Sequence, residues 1–95
     1  MTLDQWAAKQ CGIKIFAHPN DSHPKPLYYS SGVWALSDAR CREIVREHFS
    51  IQTLIWNNLW FCAWDNGTQE TNLFAKIAEA EIACIKAIRE AQENE

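Results

Sequence analysis

The segment at residues 51–64, IQTLIWNNLWFCAW, limits the possible folds of this chain more than any other stretch. Runs of β-branched and aromatic residues flank Asn57 and Asn58, and asparagine tolerates the positive φ that a two-residue hairpin turn requires. The segment therefore predicts an antiparallel β-hairpin with strands at 51–56 and 59–64.

Pairing across this turn places apolar side chains on both faces of the hairpin. The expected pairs are Trp56 with Leu59, Ile55 with Trp60, Leu54 with Phe61, Thr53 with Cys62, Gln52 with Ala63 and Ile51 with Trp64. One face carries Gln52, Leu54, Trp56, Leu59, Phe61 and Ala63, and the other carries Ile51, Thr53, Ile55, Trp60, Cys62 and Trp64. A hairpin that is apolar on both faces needs two covers, from helices of this chain, another copy of it or a ligand.

Length, composition and charge narrow the class of protein. A chain of 95 residues suits one compact domain, so we expect a single domain over residues 1–95. The 47% hydrophobic and 22% charged content is typical of a globular chain and not of a disordered one. A formal net charge of −3 argues against nonspecific nucleic-acid binding. The chain has neither an export signal nor an apolar run long enough for a membrane helix, which predicts a cytoplasmic protein.

Before the hairpin, the pattern predicts a helix, an extended segment and a loop. Thr2 and Gln5 form a capping box and a glycine follows the helical stretch, so the first helix covers about residues 2–11. The β-branched run at 13–16 is expected to be extended and to add to the hairpin. All three prolines fall within 17–26, which predicts a Pro-rich loop.

A second helix is predicted at about residues 38–48, with Ser37 as its N-cap and Asp38 in its first turn. The last helix ends near Gln92, but its start has two interpretations. A start near Ala78 places Glu81 close to the helix N-terminus, where the helix dipole favours a carboxylate.

A start near Leu73 instead makes Glu81 a half-buried acid that needs a partner. We favour the helix at 78–92. Three helices and a hairpin with two apolar faces predict an α+β fold, a small three-layer α-β-α sandwich around the central hairpin.

Four cysteines, Cys11, Cys41, Cys62 and Cys84, occur without any CxxC pair. Because cysteine behaves as a small buried hydrophobe, we expect free core thiols, with a disulfide framework or a metal site as the alternatives. A metal site would need cysteines from distant elements to converge, and no export signal accompanies the even number of cysteines that a disulfide framework would suggest.

No sequence signature of a catalytic nucleophile, a phosphate-binding loop or a metalloprotease is present. We therefore expect no enzyme activity, no cofactor and no bound metal. His18 and His23 flank Asp21 in the Pro-rich loop, where a metal-ligating role is the alternative to solvated side chains.

Aromatic and cationic side chains concentrate between the Pro-rich loop and the second helix. The candidate ligand-binding residues are His18, His23, Lys25, Tyr28, Tyr29, Trp34, Arg40 and Arg42. Rings that stack on a base, with cations near a helix N-terminus, are the ingredients of a nucleotide pocket. The alternative is that Tyr28, Tyr29 and Trp34 close the edge of the core.

The chain contains five tryptophans, more than three thin layers can bury. Trp56 lies beside the hairpin turn, where it is hardest to cover within one copy, and exposed tryptophan is favoured at protein interfaces. We expect a homo-oligomer or partner interface that includes Trp56, Leu59 and Trp64.

Four segments, TLDQWAAKQCG, SDARCREIVREHF, LWFCAW and AEAEIACIKAI, follow one another in an order and spacing that resembles the phage ABA sandwich domain family. These are small proteins of tailed phages. The resemblance implies a phage or prophage origin and the α-β-α fold, and it supplies no catalytic motif.

Two functions follow as expectations. The first is a phage counter-defence protein that sequesters a host nucleotide-type immune signal, as a homo-oligomer in the cytoplasm of the infected host. The alternative is a protein-binding inhibitor of a host defence enzyme or complex, comparable to an anti-CRISPR, that docks through a Trp-rich face.

Overall fold

A computed structural model describes residues 1–17 and 26–94. The helices are α1 (Leu3–Gln10), α2 (Ala39–Phe49) and α3 (Ile77–Glu93), and the strands are β1 (Leu27–Tyr29), β2 (Gly32–Trp34), β3 (Gln52–Trp56), β4 (Leu59–Trp64) and β5 (Gln69–Glu70). Strands β1 and β2 form one antiparallel sheet, and a second sheet has the order β3-β4-β5. The predicted α+β class is confirmed. Each helix begins and ends within one residue of its predicted bounds.

The predicted hairpin forms with the predicted register. The pairs are Gln52 with Ala63, Thr53 with Cys62, Leu54 with Phe61, Ile55 with Trp60 and Trp56 with Leu59. Asn57 and Asn58 adopt φ values of 51° and 62°, the left-handed conformation of a tight two-residue turn. The ladder ends with Gln52 and Ala63, one pair before the expected pair of Ile51 with Trp64. The Ile51 N–H donates to the carbonyl of Arg46 over 2.9 Å.

Side-chain caps set the starts of the first two helices. The predicted capping box is present: the Gln5 N–H donates to Thr2 Oγ1 over 3.1 Å and the Thr2 N–H donates to Gln5 Oε1 over 2.8 Å. The prediction of Ser37 as the second cap was wrong. Asp38 is the N-cap of α2, since its carboxylate accepts the Arg40 N–H over 2.8 Å.

Helix α3 begins at Ile77, which confirms the later of the two predicted starts. The interpretation that accompanied this start was wrong. Glu81 is only 4% exposed, and two arginines and a threonine hold it within the fold. The structure therefore combines the later helix start with the buried, partnered Glu81 that we expected only for the earlier start.

The extended segment at 13–16 does not join the hairpin as expected. The backbone N–H groups of Phe16 and Tyr28 donate to each other's carbonyls over 2.9 and 2.8 Å, so the segment lies against β1. In the hairpin sheet, the edge of β4 that faces away from β3 pairs with β5 and, at Trp60, with Phe74.

One core joins the helices to the two sheets. Helix α3 contacts β3, β4, α1 and α2, and it buries Ala80, Cys84, Ile85 and Ile88. No helix among the described residues is long and apolar enough to cross a membrane.

Helix α3 covers one face of the hairpin, where Glu81 meets Thr53. On the opposite face Leu54 is 39% exposed and Trp56 is 60% exposed. The described helices therefore leave these two side chains exposed in the single chain. No described helix packs on this part of the apolar hairpin face.

Candidate functional site

An exposed apolar surface lies at the hairpin tip, on the face away from α3. We call it the outer face and define it by Leu54, Trp56 and Phe61 of the hairpin together with Leu73, which is 40% exposed. A groove of about 430 Å³ opens on this surface. It is lined by Trp56, Phe61, Glu70, Thr71, Asn72 and Leu73.

Hydrogen bonds to β4 fix the wall of the groove. The Cys62 N–H donates to Thr71 Oγ1 over 3.0 Å, and the Thr71 N–H donates to the Cys62 carbonyl over 2.9 Å. Trp60 and Phe74 exchange two backbone hydrogen bonds of 2.7 Å. Because these bonds flank Leu73, the chain that presents it is held on both sides, and the groove is part of the sheet rather than a loose loop.

The exposure of Trp56 follows from its position in the chain. It is the last residue of β3 before the Asn57-Asn58 turn, and its partner in the ladder is Leu59 directly after the turn. A two-residue turn brings no further chain over the tip, so a side chain at this place has neighbours on few sides. A rigid indole thus stands at the end of a well-defined hairpin.

A buried ionic cluster lies on the covered face of the hairpin. Glu81 accepts hydrogen bonds from Arg42 Nε over 2.7 Å, from Arg46 Nη1 over 2.6 Å and from Thr53 Oγ1 over 2.8 Å. Burial acts to raise the pKa of Glu81, but the hydrogen bonds from Arg42, Thr53 and Arg46 outweigh burial and hold the pKa below its usual value. The cluster joins α2 to α3 through ion pairs and β3 to α3 through the hydrogen bond from Thr53.

Arg42 is buried and bonded to groups of the core, so it does not face a ligand in solvent. Its side chain is 6% exposed, and its Nη1 also donates to the carbonyls of Leu36 and Ser37 over 3.1 and 3.0 Å. The predicted ligand-binding cation is therefore a core residue, which links the α2 N-terminus to Glu81.

Tyr29 and Trp34, two of the predicted stacking residues, lie in the core at 9% and 1% exposure. Their rings meet edge to face with centroids 5.2 Å apart, and Trp34 Nε1 donates to the Asp4 carbonyl over 2.8 Å. This is the arrangement that the alternative interpretation, closure of the core edge, describes. Tyr28 is half-buried and stacks on Phe16 with centroids 6.1 Å apart.

Within the part of the chain that the structure describes, the remaining predicted ligand residues do not come together at one place. The Arg40 side chain is 77% exposed and pairs with Asp38 over 3.5 Å, while Arg42 turns into the core. His18, His23 and Lys25 lie outside the described residues.

The predicted interface residues divide between the two faces of the hairpin. Trp56 and Leu59 form a cross-strand pair on the face away from α3, with Leu59 half-buried. Trp64 is half-buried on the other face and packs against the core. Only Trp56 of this set presents a large exposed area.

Three of the four thiols are buried, as the sequence predicted, and all four are free. A hydrogen bond from the neighbouring Cys84 thiol lowers the pKa of Cys62, and the same contact raises the pKa of Cys84. Cys11 is half-buried, and burial raises its pKa. Within the part of the chain that the structure describes, no three metal-ligating side chains come together.

Sequence reasoning missed two parts of this arrangement. The wall of the groove depends on β5 and the Trp60–Phe74 bridge, which pair through the backbone and left no mark in the polar stretch that follows the turn. In the Arg42–Glu81 pair only Glu81 had a signal, because it falls on the predicted buried stripe of the last helix. Arg42 belongs to the charged side of the second helix, where the sequence predicts solvent exposure, and the 39-residue separation hid the contact. Comparison of the chain with protein-family models, characterised proteins and solved structures finds no match.

Proposed function

We propose that this chain is a non-catalytic binding module that docks a protein partner on its outer face. The observation that carries the proposal is Trp56, 60% exposed beside a groove that also contains Phe61 and the exposed Leu73. Tryptophan in such a setting supplies a large, rigid contact area at low cost in conformational entropy, and it is enriched among the residues that dominate binding energy.

The chemistry of the groove suggests what the partner presents. Three of its lining residues are apolar, Thr71 and Asn72 are polar and uncharged, and its one ionisable lining residue is Glu70. A matching partner surface has an apolar side chain that enters the groove and a basic residue that faces Glu70, while the chain's net charge of −3 also favours a basic surface.

A nucleotide-type signal has less support as the ligand. Tyr29 and Trp34 have their ring faces in the core, and the charge of Arg42 is neutralised by Glu81. Of the predicted ligand residues whose positions are described, Arg40 alone offers an exposed cation.

The sequence resemblance to small phage proteins supports a host protein as the partner. In this proposal the chain acts in counter-defence, in the cytoplasm of the infected bacterium, where it inhibits a defence enzyme or complex by occupying part of its surface. The inhibition needs no chemistry of its own.

The test is affinity capture from a bacterial lysate with the wild-type chain, followed by titration calorimetry with the purified captured protein. The Trp56→Ala variant is expected to weaken binding by at least 30-fold, about 2 kcal/mol, as an anchor residue does. Val33→Ala is the matched control, because Val33 is 48% exposed on the other sheet.

The proposal fails if Trp56→Ala binds the captured protein as tightly as Val33→Ala does. It fails equally if the chain takes up cyclic dinucleotides or ADP-ribose derivatives with heat that Arg40→Ala abolishes, because that outcome assigns the function to the N-terminal end of α2.

A further inference from the structure

The outer edge of β3 is an unprotected strand edge. Within residues 1–17 and 26–94, strand β3 pairs on one side only, in the order β3-β4-β5, and its sequence Gln52–Trp56 contains no charge and no proline. Proteins usually protect such an edge with lysines, prolines, bulges or a covering segment, because an open edge invites another strand. The edge here is regular and bears the exposed side chains of Leu54, Ile55 and Trp56.

The hydrogen bonds of β4 show which backbone groups lie on that edge. Trp60 and Cys62 direct their backbone groups away from β3, since they bond to Phe74 and Thr71. In an antiparallel ladder the residues opposite them also turn outward, and these are Ile55 and Thr53. Among residues 1–17 and 26–94, neither has a backbone hydrogen bond to a residue beyond the hairpin.

We infer that a second copy of this chain adds its own β3 to this edge, antiparallel and about a two-fold axis at Leu54. In this register Leu54 faces Leu54 of the partner subunit, and Thr53 faces Ile55 of the partner subunit. The outward N–H and C=O groups of Thr53 and Ile55 then all find partners, in four intermolecular hydrogen bonds that the ladder geometry dictates.

A second copy fits this edge because the edge is complementary to itself. An isologous interface brings each residue near its own counterpart, so a charged strand would repel its copy. Strand β3 has no charge, and its central residue is the apolar Leu54, which is 39% exposed in the single chain. Registers centred on Thr53 or Ile55 extend beyond the strand at one end and pair fewer of the outward groups.

The second copy also changes the outer face. Gln52 of the partner subunit lies opposite Trp56, and Leu54 of the partner subunit doubles the apolar centre of the surface, since directly opposed side chains lie about 5 Å apart. The two outer faces become one continuous surface across the axis. The inference concerns the strand edge and does not depend on the identity of any docked protein.

The first test is sedimentation velocity of the purified chain at micromolar concentration, where a dimer is expected. Leu54→Lys and Leu54→Glu should each be monomeric, because like charges meet at the axis, and their equimolar mixture should restore the dimer. A monomeric wild-type chain, or a mixture no more associated than its components, overturns the inference.

The second test reads the register without relying on charge. Two cysteines at a pair without mutual hydrogen bonds have Cα atoms about 4.5 Å apart, within the range of about 4.4–6.8 Å that a disulfide spans. Leu54→Cys should therefore give a covalent dimer on oxidation with diamide. Gln52→Cys, exposed on the same face but off the axis, should not.

The backbone itself is tested by Ile55→Pro. This change removes an outward N–H and fixes φ at the position, which an edge strand tolerates, so circular dichroism should show a folded chain that is monomeric. A folded Ile55→Pro chain that still dimerises, or cross-linking of Gln52→Cys as efficient as that of Leu54→Cys, places the interface elsewhere and refutes the inference.

Discussion

Arg42 Nε donates to Glu81 Oε1 over 2.7 Å between side chains that are 6% and 5% exposed. The pair joins α2 to α3 inside the core, and Thr53 extends it to the hairpin. A charge buried with its partners is stable, whereas a charge left without its partner is not. This cluster therefore fixes the covered face of the hairpin and, through it, the orientation of the exposed one.

Removal of Glu81 should destabilise the fold strongly. Glu81→Ala leaves the buried Arg42 without its carboxylate, and the expected loss in the free energy of unfolding is about 3–5 kcal/mol. Urea denaturation followed by tryptophan fluorescence measures it. Glu90→Ala, at an exposed position of the same helix, should change the free energy of unfolding by less than about 0.5 kcal/mol. Equal losses in the two variants would contradict a stabilising role for the cluster.

The same cluster predicts a loss of stability in acid. Burial acts to raise the pKa of Glu81, but its hydrogen bonds with Arg42, Thr53 and Arg46 lower that pKa by a larger amount. The folded pKa therefore lies below the usual 4.5. As pH falls below about 4.5, the unfolded chain binds a proton that the folded chain does not, and the free energy of unfolding decreases until pH passes the folded pKa.

Urea titrations between pH 3 and 7 measure this slope. The hydrogen bonds with Arg40 also lower the pKa of Asp38, so protonation of Asp38 in the unfolded chain reduces stability in acid as well. A variant that changes only Glu81 is needed to separate the two contributions. The Glu81→Gln chain should lose less stability between neutral and acid pH than the wild type does. An identical decline in both chains would show that Glu81 does not titrate in this window.

Substitution by alanine should destabilise the fold far more at Trp34 than at Trp56. Trp34 is 1% exposed and donates to the Asp4 carbonyl, so Trp34→Ala should cost about 3–5 kcal/mol of stability. Trp56 is 60% exposed, and Trp56→Ala should cost less than about 1 kcal/mol. Thermal denaturation of both variants measures the difference. A Trp56→Ala chain as unstable as Trp34→Ala would mean that Trp56 belongs to the core rather than to a binding surface.

The hairpin turn should be sensitive to side chains that resist positive φ. Asn58 has φ 62°, so Asn58→Ala should destabilise the fold by about 1 kcal/mol, whereas Asn58→Gly should be neutral or stabilising. Chemical denaturation measures both changes. Asn72→Ala, at an exposed position away from this turn, serves as the control, and a larger loss for Asn58→Gly than for Asn58→Ala would exclude the assigned turn.

The parts of the fold that sequence predicts are those with local causes. The Asn57-Asn58 turn fixes the hairpin register, and the Thr2 and Gln5 capping box fixes the start of α1, because each depends on residues a few positions apart. The bounds of α3 also follow from its local pattern of apolar residues.

The parts that sequence does not predict depend on distant contacts. Glu81 lies on a buried stripe, but only the fold shows that Arg42 and Arg46 reach it. In the same way, Tyr29 and Trp34 are aromatic residues beside a loop in the sequence, and their burial depends on α1, whose Asp4 accepts the Trp34 N–H. The groove beside Trp56 needed the 70–74 segment, which bonds to β4 through backbone groups and the one side chain of Thr71 and therefore leaves little trace in the side-chain pattern.

The central claim, that the outer face is the binding surface, is tested most directly by amide hydrogen exchange of the chain alone and in complex with its purified captured protein. We predict slower exchange on binding at residues 54–61 and 70–73, with no change at 26–34. Protection at 26–34 and around Arg40, with the hairpin tip unchanged, would contradict the claim.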